Sequence, residues 1–131
     1  MALTKAGKSV CLLGMGDPIG LVNWEQLDMV AFGYTQDFVE IYHEFLMQTP
    51  ELLDALEQAR VSGDVDAVIA YAHKLMGSAL NFGFPGVSGP MTALERDTKE
   101  RKNLVGAEEK IRLSRENFEA GRKEVFSARG I

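Results

Sequence analysis

One segment of the chain combines a histidine with a nearby glycine, YAHKLMGSALNFG at residues 71–83. The imidazole of His73 can act as a nucleophile, a proton carrier or a metal ligand, because a neutral ring keeps a free lone pair. A glycine within a helix costs roughly 1 kcal/mol relative to alanine, so Gly77 needs a reason for its position. One turn after His73 on the same helix face, Gly77 would leave room for another molecule beside the ring.

A helical wheel centred on His73 divides this segment into two faces. The far face is an apolar stripe that predicts contact with a hydrophobic core, formed by Val68, Tyr71, Leu75, Ala79 and Phe82, with Ala72 at its flank. The near face surrounds His73 with small or apolar side chains, namely Ile69, Ala70, Met76, Gly77 and Leu80, and Lys74 lies about a quarter turn away. We expect His73 to point into solvent and the near face to dock a partner, because exposed apolar clusters mark interaction surfaces. Alternatively, the N-terminal segment or the last helix packs there and Gly77 allows close helix contact.

Helical signals continue on both sides of this segment. Asn23, Thr35 and Asp64 are suited to cap helices over roughly 24–32, 36–61 and 65–82. Pro50 is expected to kink or restart the second helix, because proline lacks a backbone N–H. The run GFPG at 83–86 is expected to end the third.

Two further helices are predicted at about 88–102 and 106–127. Their inward positions are Met91, Leu94, Thr98, Ile111, Phe118 and Val125. No segment has the pattern of a strand, so the predicted fold is all-α, an antiparallel four-helix bundle with a short extra N-terminal helix. Residues 1–22 are predicted to form an N-terminal arm and residues 23–131 the bundle.

Composition excludes several classes of function. The chain has 131 residues, enough for one domain, and its net charge of −5 argues against nucleic-acid binding. The single cysteine, Cys11, excludes an internal disulfide, and no apolar run is long enough to span a bilayer. Two histidines and one cysteine in separate segments do not predict a metal site. We therefore expect a cytoplasmic protein with no membrane segment and no metal site of its own.

The stretch at 72–83, AHKLMGSALNFG, resembles the signature of the histidine-containing phosphotransfer (HPt) domain, approximately A-H-x-L-K-G-S-[SA]-x-x-x-G. The positions that match are Ala72, His73, Leu75, Gly77, Ser78, Ala79 and Gly83. The resemblance extends over roughly 24–102, where Pro50, Asp64 and the run ALE at 93–95 also match the family.

The resemblance implies a phosphorelay carrier of two-component signalling, rather than a true turnover enzyme. His73 would accept a phosphoryl group on Nε2 from the phospho-aspartate of a response-regulator receiver domain and pass it to another receiver. The metal ion would belong to the receiver, and a hybrid histidine kinase is a further possible partner. The family is often monomeric, so a monomer is expected.

One position departs from the family pattern. Met76 stands where the family usually has a lysine three residues after the histidine, and the nearest basic residue is Lys74. We expect weaker stabilisation of the phosphoryl group, since one surface charge contact contributes about 1 kcal/mol or less. The alternative is a degenerate module of the same fold that binds receivers or other signalling proteins without being phosphorylated. The other histidine, His43, has no glycine to clear its approach and is interpreted as a surface residue beside core Tyr42.

Overall fold

Five helices make up almost all of the described chain. The computed structural model describes residues 20–131, and its helices are α1 (Trp24–Ala31), α2 (Gln36–Ser62), α3 (Val65–Phe82), α4 (Pro85–Arg101) and α5 (Ala107–Arg129). Within that range there is no strand. Helix α3 packs between α2 and α4, α5 closes the bundle against α4 and α2, and α1 contacts α2 and α3. The prediction of an all-α four-helix bundle with a short extra helix is confirmed.

Side-chain caps set the starts of the first three helices. Asn23 accepts a hydrogen bond from the backbone N–H of Gln26, and Thr35 accepts one from Phe38. Asp64 caps α3 in the same way, through the N–H of Ala67. Each oxygen satisfies a donor that has no partner inside its helix. The three caps that the sequence predicts are therefore confirmed.

The prolines behave differently from the prediction. Helix α2 continues through Pro50 from Gln36 to Ser62, so of the two alternatives expected there the restart is wrong, and the kink stays a prediction. Leu53 and Leu56 after the proline are as deeply buried as Phe45 before it, and packing on both sides holds the helix together. Helix α4 begins at Pro85, three residues before the predicted 88, because a proline at the first helical position loses no hydrogen bond.

The core is a cluster of aromatic rings that joins four of the helices. The ring of Phe45 lies 4.6 Å from Phe82 and 5.1 Å from Phe84, centroid to centroid. It also contacts Phe118 at 5.9 Å. The predicted inward positions of α4 and α5 are all buried, namely Met91, Leu94, Thr98, Ile111, Phe118 and Val125. Tyr71 is half-buried and packs against the edge of this core, so its prediction as a core-facing residue is confirmed although its burial is incomplete.

The predicted arm lies almost wholly outside the described residues, together with Cys11. None of the helices in residues 20–131 has the length and apolar character needed to cross a membrane. The chain enters the bundle through Val22, which is 5% exposed. The next residue, Asn23, donates its backbone N–H to the carbonyl of Gly83 at 2.7 Å, and so ties the start of α1 to the α3–α4 turn.

Gly83 is the tightest point of this turn. Its φ of 77° is left-handed, and its N–H bonds back to the last turn of α3. A Cβ at this position would lie 2.6 Å from the backbone oxygen of Asn23. Gly63, which ends α2, has nearly the same φ of 76° but has no described atom within 4 Å of such a Cβ. The two glycines share one backbone conformation and differ in the space around them.

This difference gives a matched pair of substitutions. Gly63→Ala should lower the free energy of unfolding by about 1 kcal/mol, the cost of a left-handed alanine. Gly83→Ala should cost about 3 kcal/mol or more, because backbone atoms of α1 must also move. Urea denaturation followed by circular dichroism measures both losses. Equal losses would show that the α1–turn contact does not constrain the bundle.

Candidate functional site

His73 lies near the middle of α3 on its solvent-exposed side. Its side chain is 66% exposed. On the other side of the helix, Val68, Ala72 and Leu75 are completely buried, which holds α3 in one rotational setting. The outward direction predicted from the helical wheel is therefore confirmed for His73.

A carboxylate from the neighbouring helix holds one nitrogen of the imidazole. The Nδ1 atom of His73 lies 3.1 Å from Oε1 and 3.1 Å from Oε2 of Glu95 on α4. An ionised carboxylate only accepts hydrogen bonds, so the nitrogen facing it is the one that carries the proton. The Nε2 atom of a neutral ring then keeps its lone pair, directed away from α4. The arrangement is that of a nucleophile whose tautomer is set by a carboxylate.

Lys99 shares the same carboxylate. Its Nζ lies 2.8 Å from Oε2 of Glu95, one helical turn along α4. This hydrogen bond, followed by the one from His73, lowers the pKa of the Glu95 carboxyl although partial burial opposes the shift. Glu95 is thus ionised throughout the pH range above its ordinary carboxyl pKa, and the link to His73 weakens only as the pH falls through the lowered value.

Open space lies next to the imidazole on α3. Gly77 is exposed, and no described atom lies within 4 Å of the position that a Cβ would take. The alternative in which the last helix packs on this glycine is therefore wrong, since no atom of α5 lies within 4 Å of that position. The alternative that involves the N-terminal arm falls on residues outside the described range.

The near face of α3 is only partly as predicted. Ala70 is exposed and Leu80 is 55% exposed, whereas Ile69 and Met76 are partly buried. Met76 packs against the core instead of pointing fully outward, which corrects its predicted place in the apolar ring. It lies about 60° from His73 on the wheel, where a long, flexible side chain can reach the interior.

Lys74 lies on the other flank of His73, away from Glu95. It lines a groove between α2 and α3 together with Glu44 and Ser78. The charged network that contacts the imidazole therefore comes from α4, and Lys74 is not part of it. The two described histidines also differ, because His43 is exposed beside the ring of Tyr42 and has no carboxylate contact like that of His73 in the described chain.

The residues that the sequence reasoning missed come from other helices. Glu95 and Lys99 form an i,i+4 pair of the favourable order, which was the available signal for them. Helix α1 meets α3 at its C-terminal end, about two turns beyond His73, where Gln26 donates a 3.0 Å hydrogen bond from Nε2 to the carbonyl of Asn81. Met29, three residues after Gln26 on the same face, is 63% exposed. Within residues 20–131, no three metal-ligating side chains come together.

The free space at Gly77 can be tested through stability. Gly77→Ala should raise the free energy of unfolding by up to about 1 kcal/mol, because alanine is the better helix former and its Cβ meets no described atom. Ala70→Gly on the same helix is the matched control, since Ala70 is also exposed and the reverse exchange should lower the free energy of unfolding by a similar amount. A loss of stability for Gly77→Ala would show that part of the chain packs on this glycine. Urea denaturation provides the measurement.

One protein-family model matches the part of the chain that contains this site. The model of the Hpt domain matches residues 40–122, which is more than half of the chain and includes His73, Glu95 and Lys99. Searches of curated proteins and of solved structures returned no match. Hpt domains take part in phosphotransfer in two-component signalling and interact with receiver domains and kinases. The chain, with its exposed histidine on a four-helix bundle, belongs to the Hpt domain family.

Proposed function

We propose that the chain is a phosphorelay carrier that accepts a phosphoryl group on His73 from a receiver-domain phospho-aspartate and passes it to another receiver. The Nε2 lone pair attacks phosphorus in line with the acyl phosphate bond. The N–P bond forms as the P–O bond breaks, and the aspartate carboxylate leaves on the receiver. The observation that carries the proposal is the exposed imidazole with Nδ1 held by Glu95, because this leaves Nε2 available as the nucleophile.

The receiver supplies most of the charge stabilisation in this proposal. Phosphoryl transfer depends on positioning and on neutralising the charge of the phosphoryl oxygens, a task that a metal ion commonly performs. The described part of this chain offers no cluster of metal ligands and only scattered cations near His73. A metal ion bound to the receiver would serve both directions of transfer, so the carrier needs no cofactor of its own.

The surface around His73 suits the approach of a second protein. Leu80 on α3, about two turns after His73, provides exposed apolar area, and Gly77 leaves the space next to the ring open. Ala70 adds a further small residue on the same side. We propose that the receiver docks on this surface, where Ile69 and Met76 contribute only the exposed parts of their side chains. We also propose that the protein acts as a monomer in the cytoplasm. A hybrid histidine kinase is a second partner of the same kind.

One observation favours a second candidate, a module that binds receivers or other signalling proteins without accepting phosphate. Met76 occupies the position where the family usually has a lysine, and its side chain packs partly on the core. The phosphoryl group would therefore lack a cation at that position. The presence or absence of a covalent label distinguishes the two candidates.

Labelling tests the acceptor directly. After incubation with a phosphorylated receiver, or with phosphoramidate as a small donor, the chain should carry an acid-labile, base-stable label. The label should disappear in His73→Ala and persist in His43→Ala, the matched control with the other described histidine. A label that survives in His73→Ala would place the chemistry elsewhere. An unlabelled chain with both donors would favour the binding module.

Gly77→Ala separates docking from chemistry. The added methyl group should slow transfer from a receiver by roughly tenfold, because small misplacements of the reacting atoms are costly. The rate with phosphoramidate should stay unchanged, since this donor is small enough to approach from another side. Rapid-quench labelling with each donor gives the two rates. Equal slowing with both would indicate damage to the imidazole itself, and no slowing would remove Gly77 from the docking surface.

A further inference from the structure

The geometry points to Lys99 as a positioning residue that shares the Glu95 carboxylate with His73 and so keeps the imidazole neutral while its Nδ1 is held. This inference rests on the proposed function, since it concerns the reactivity of the same ring. It assigns a task to a cation that lies outside the motif around His73. Lys99 is on α4, 26 positions along the chain from the histidine that it would influence.

The contacts define a chain of three groups. The imidazole Nδ1 is equally close to the two carboxylate oxygens of Glu95, at 3.1 Å each. The Nζ of Lys99 donates to Oε2 of Glu95 at 2.8 Å, a shorter distance than that from Nδ1 of His73 to the same oxygen. The Glu95 side chain is only 13% exposed, so water competes weakly for its oxygens, whereas the Lys99 and His73 side chains are more than half exposed. The carboxylate is therefore divided between two donors.

The contact with Lys99 changes the electrostatic effect of the Glu95 carboxylate on the imidazole of His73. A carboxylate alone beside an imidazole favours the doubly protonated imidazolium, which has no lone pair on either nitrogen. The ammonium of Lys99 neutralises the formal charge of that carboxylate. His73 then has an acceptor for its Nδ1–H without a full negative charge next to it, so Glu95 favours the imidazolium less than an unshared carboxylate would.

Other charged groups around α3 are placed differently. Lys74, next to His73 on α3, lies along the groove towards α2, where Glu44 is the acidic group on the facing side. Helix α1 contacts α3 at its C-terminal end through the neutral side chain of Gln26. Among the described residues, Glu95 and Lys99 are the charged groups linked to the imidazole by hydrogen bonds, and both come from α4.

The same sharing affects the phosphorylated ring. When the N–P bond breaks, its electron pair returns to Nε2, and a proton on Nδ1 lets the ring leave as neutral imidazole. An unshared Glu95 would stabilise that Nδ1 proton and make the ring a better leaving group for water, with inorganic phosphate as the product. Lys99 should therefore lengthen the lifetime of the phosphohistidine, even though it contacts Glu95 and not the phosphoryl group.

An NMR titration of the unphosphorylated protein tests this inference independently of phosphotransfer. In Lys99→Met, the midpoint of the His73 imidazole titration should move to higher pH, and the neutral fraction near that midpoint should fall on the order of twofold, the size expected for an exposed charge. Lys123→Met is the matched control, because it removes the same charge from an exposed position of α5, and Lys123 has no hydrogen bond or ion pair to His73 or Glu95. That control should leave the midpoint unchanged.

A second background shows whether Lys99 acts through Glu95. In Glu95→Gln, the additional change Lys99→Met should have no further effect on the midpoint. Labelling with phosphoramidate should be about twofold slower in Lys99→Met at a pH near the measured midpoint of the parent, and equal to the parent well above both midpoints. The phosphohistidine of Lys99→Met should hydrolyse faster than that of the parent.

The outcomes distinguish the role of Lys99 from the proposed phosphorelay function. An unchanged or lower midpoint in Lys99→Met overturns the role of Lys99, whatever the labelling shows. An effect that persists in the Glu95→Gln background overturns it as well, because Lys99 would then act directly on the ring. A raised midpoint in a protein that accepts no phosphoryl group supports the electrostatic link and removes the proposed function.

Discussion

The hydrogen bond between His73 and Glu95 is the interaction on which the site depends. It joins Nδ1 of an exposed imidazole to a mostly buried carboxylate on the next helix, at 3.1 Å to each oxygen. It decides which ring nitrogen carries the proton, and so which one can react. An exposed histidine without this partner would exchange between tautomers and rotate freely.

The packing of the bundle makes this hydrogen bond possible. His73 and Glu95 meet only if α3 and α4 keep one register, and the connection between them is a short, constrained turn. Phe84 in this turn is 1% exposed and donates its backbone N–H to Ala79 at 2.8 Å, while Gly83 accepts from the start of α1. The aromatic core around Phe45 then holds the two helices against α2 and α5. The exposed site therefore depends on buried contacts about three helical turns away.

Much of the fold could be predicted from the sequence, because its signals are local. The capping residues Asn23, Thr35 and Asp64 lie where a side-chain oxygen can meet an N–H three positions later. The outward direction of His73 follows from the apolar stripe on the far side of one helix. The restart at Pro50 was not borne out, because packing on both sides of the proline keeps α2 continuous. The start of α4 was placed too late, because a proline at the first helical position, Pro85, loses no hydrogen bond.

The site was less predictable, because half of it comes from another helix. The pairing of Glu95 with His73 depends on the register of α3 and α4, which hydrophobic spacing does not specify to within one turn. The partial burial of Met76 likewise depends on how closely the neighbouring helices approach. An i,i+4 pattern marks the pair of Glu95 and Lys99, but the same pattern occurs at several exposed positions of α4 and α5.

The most direct measurement is the tautomer of His73, read from ¹⁵N NMR shifts of the imidazole in the unmodified protein near pH 8. We expect Nδ1 to be the protonated nitrogen, with Nε2 showing the shift of an unprotonated nitrogen. A ring protonated on Nε2, or one divided evenly between the two forms, would contradict the assignment of Nε2 as the nucleophile held ready by Glu95.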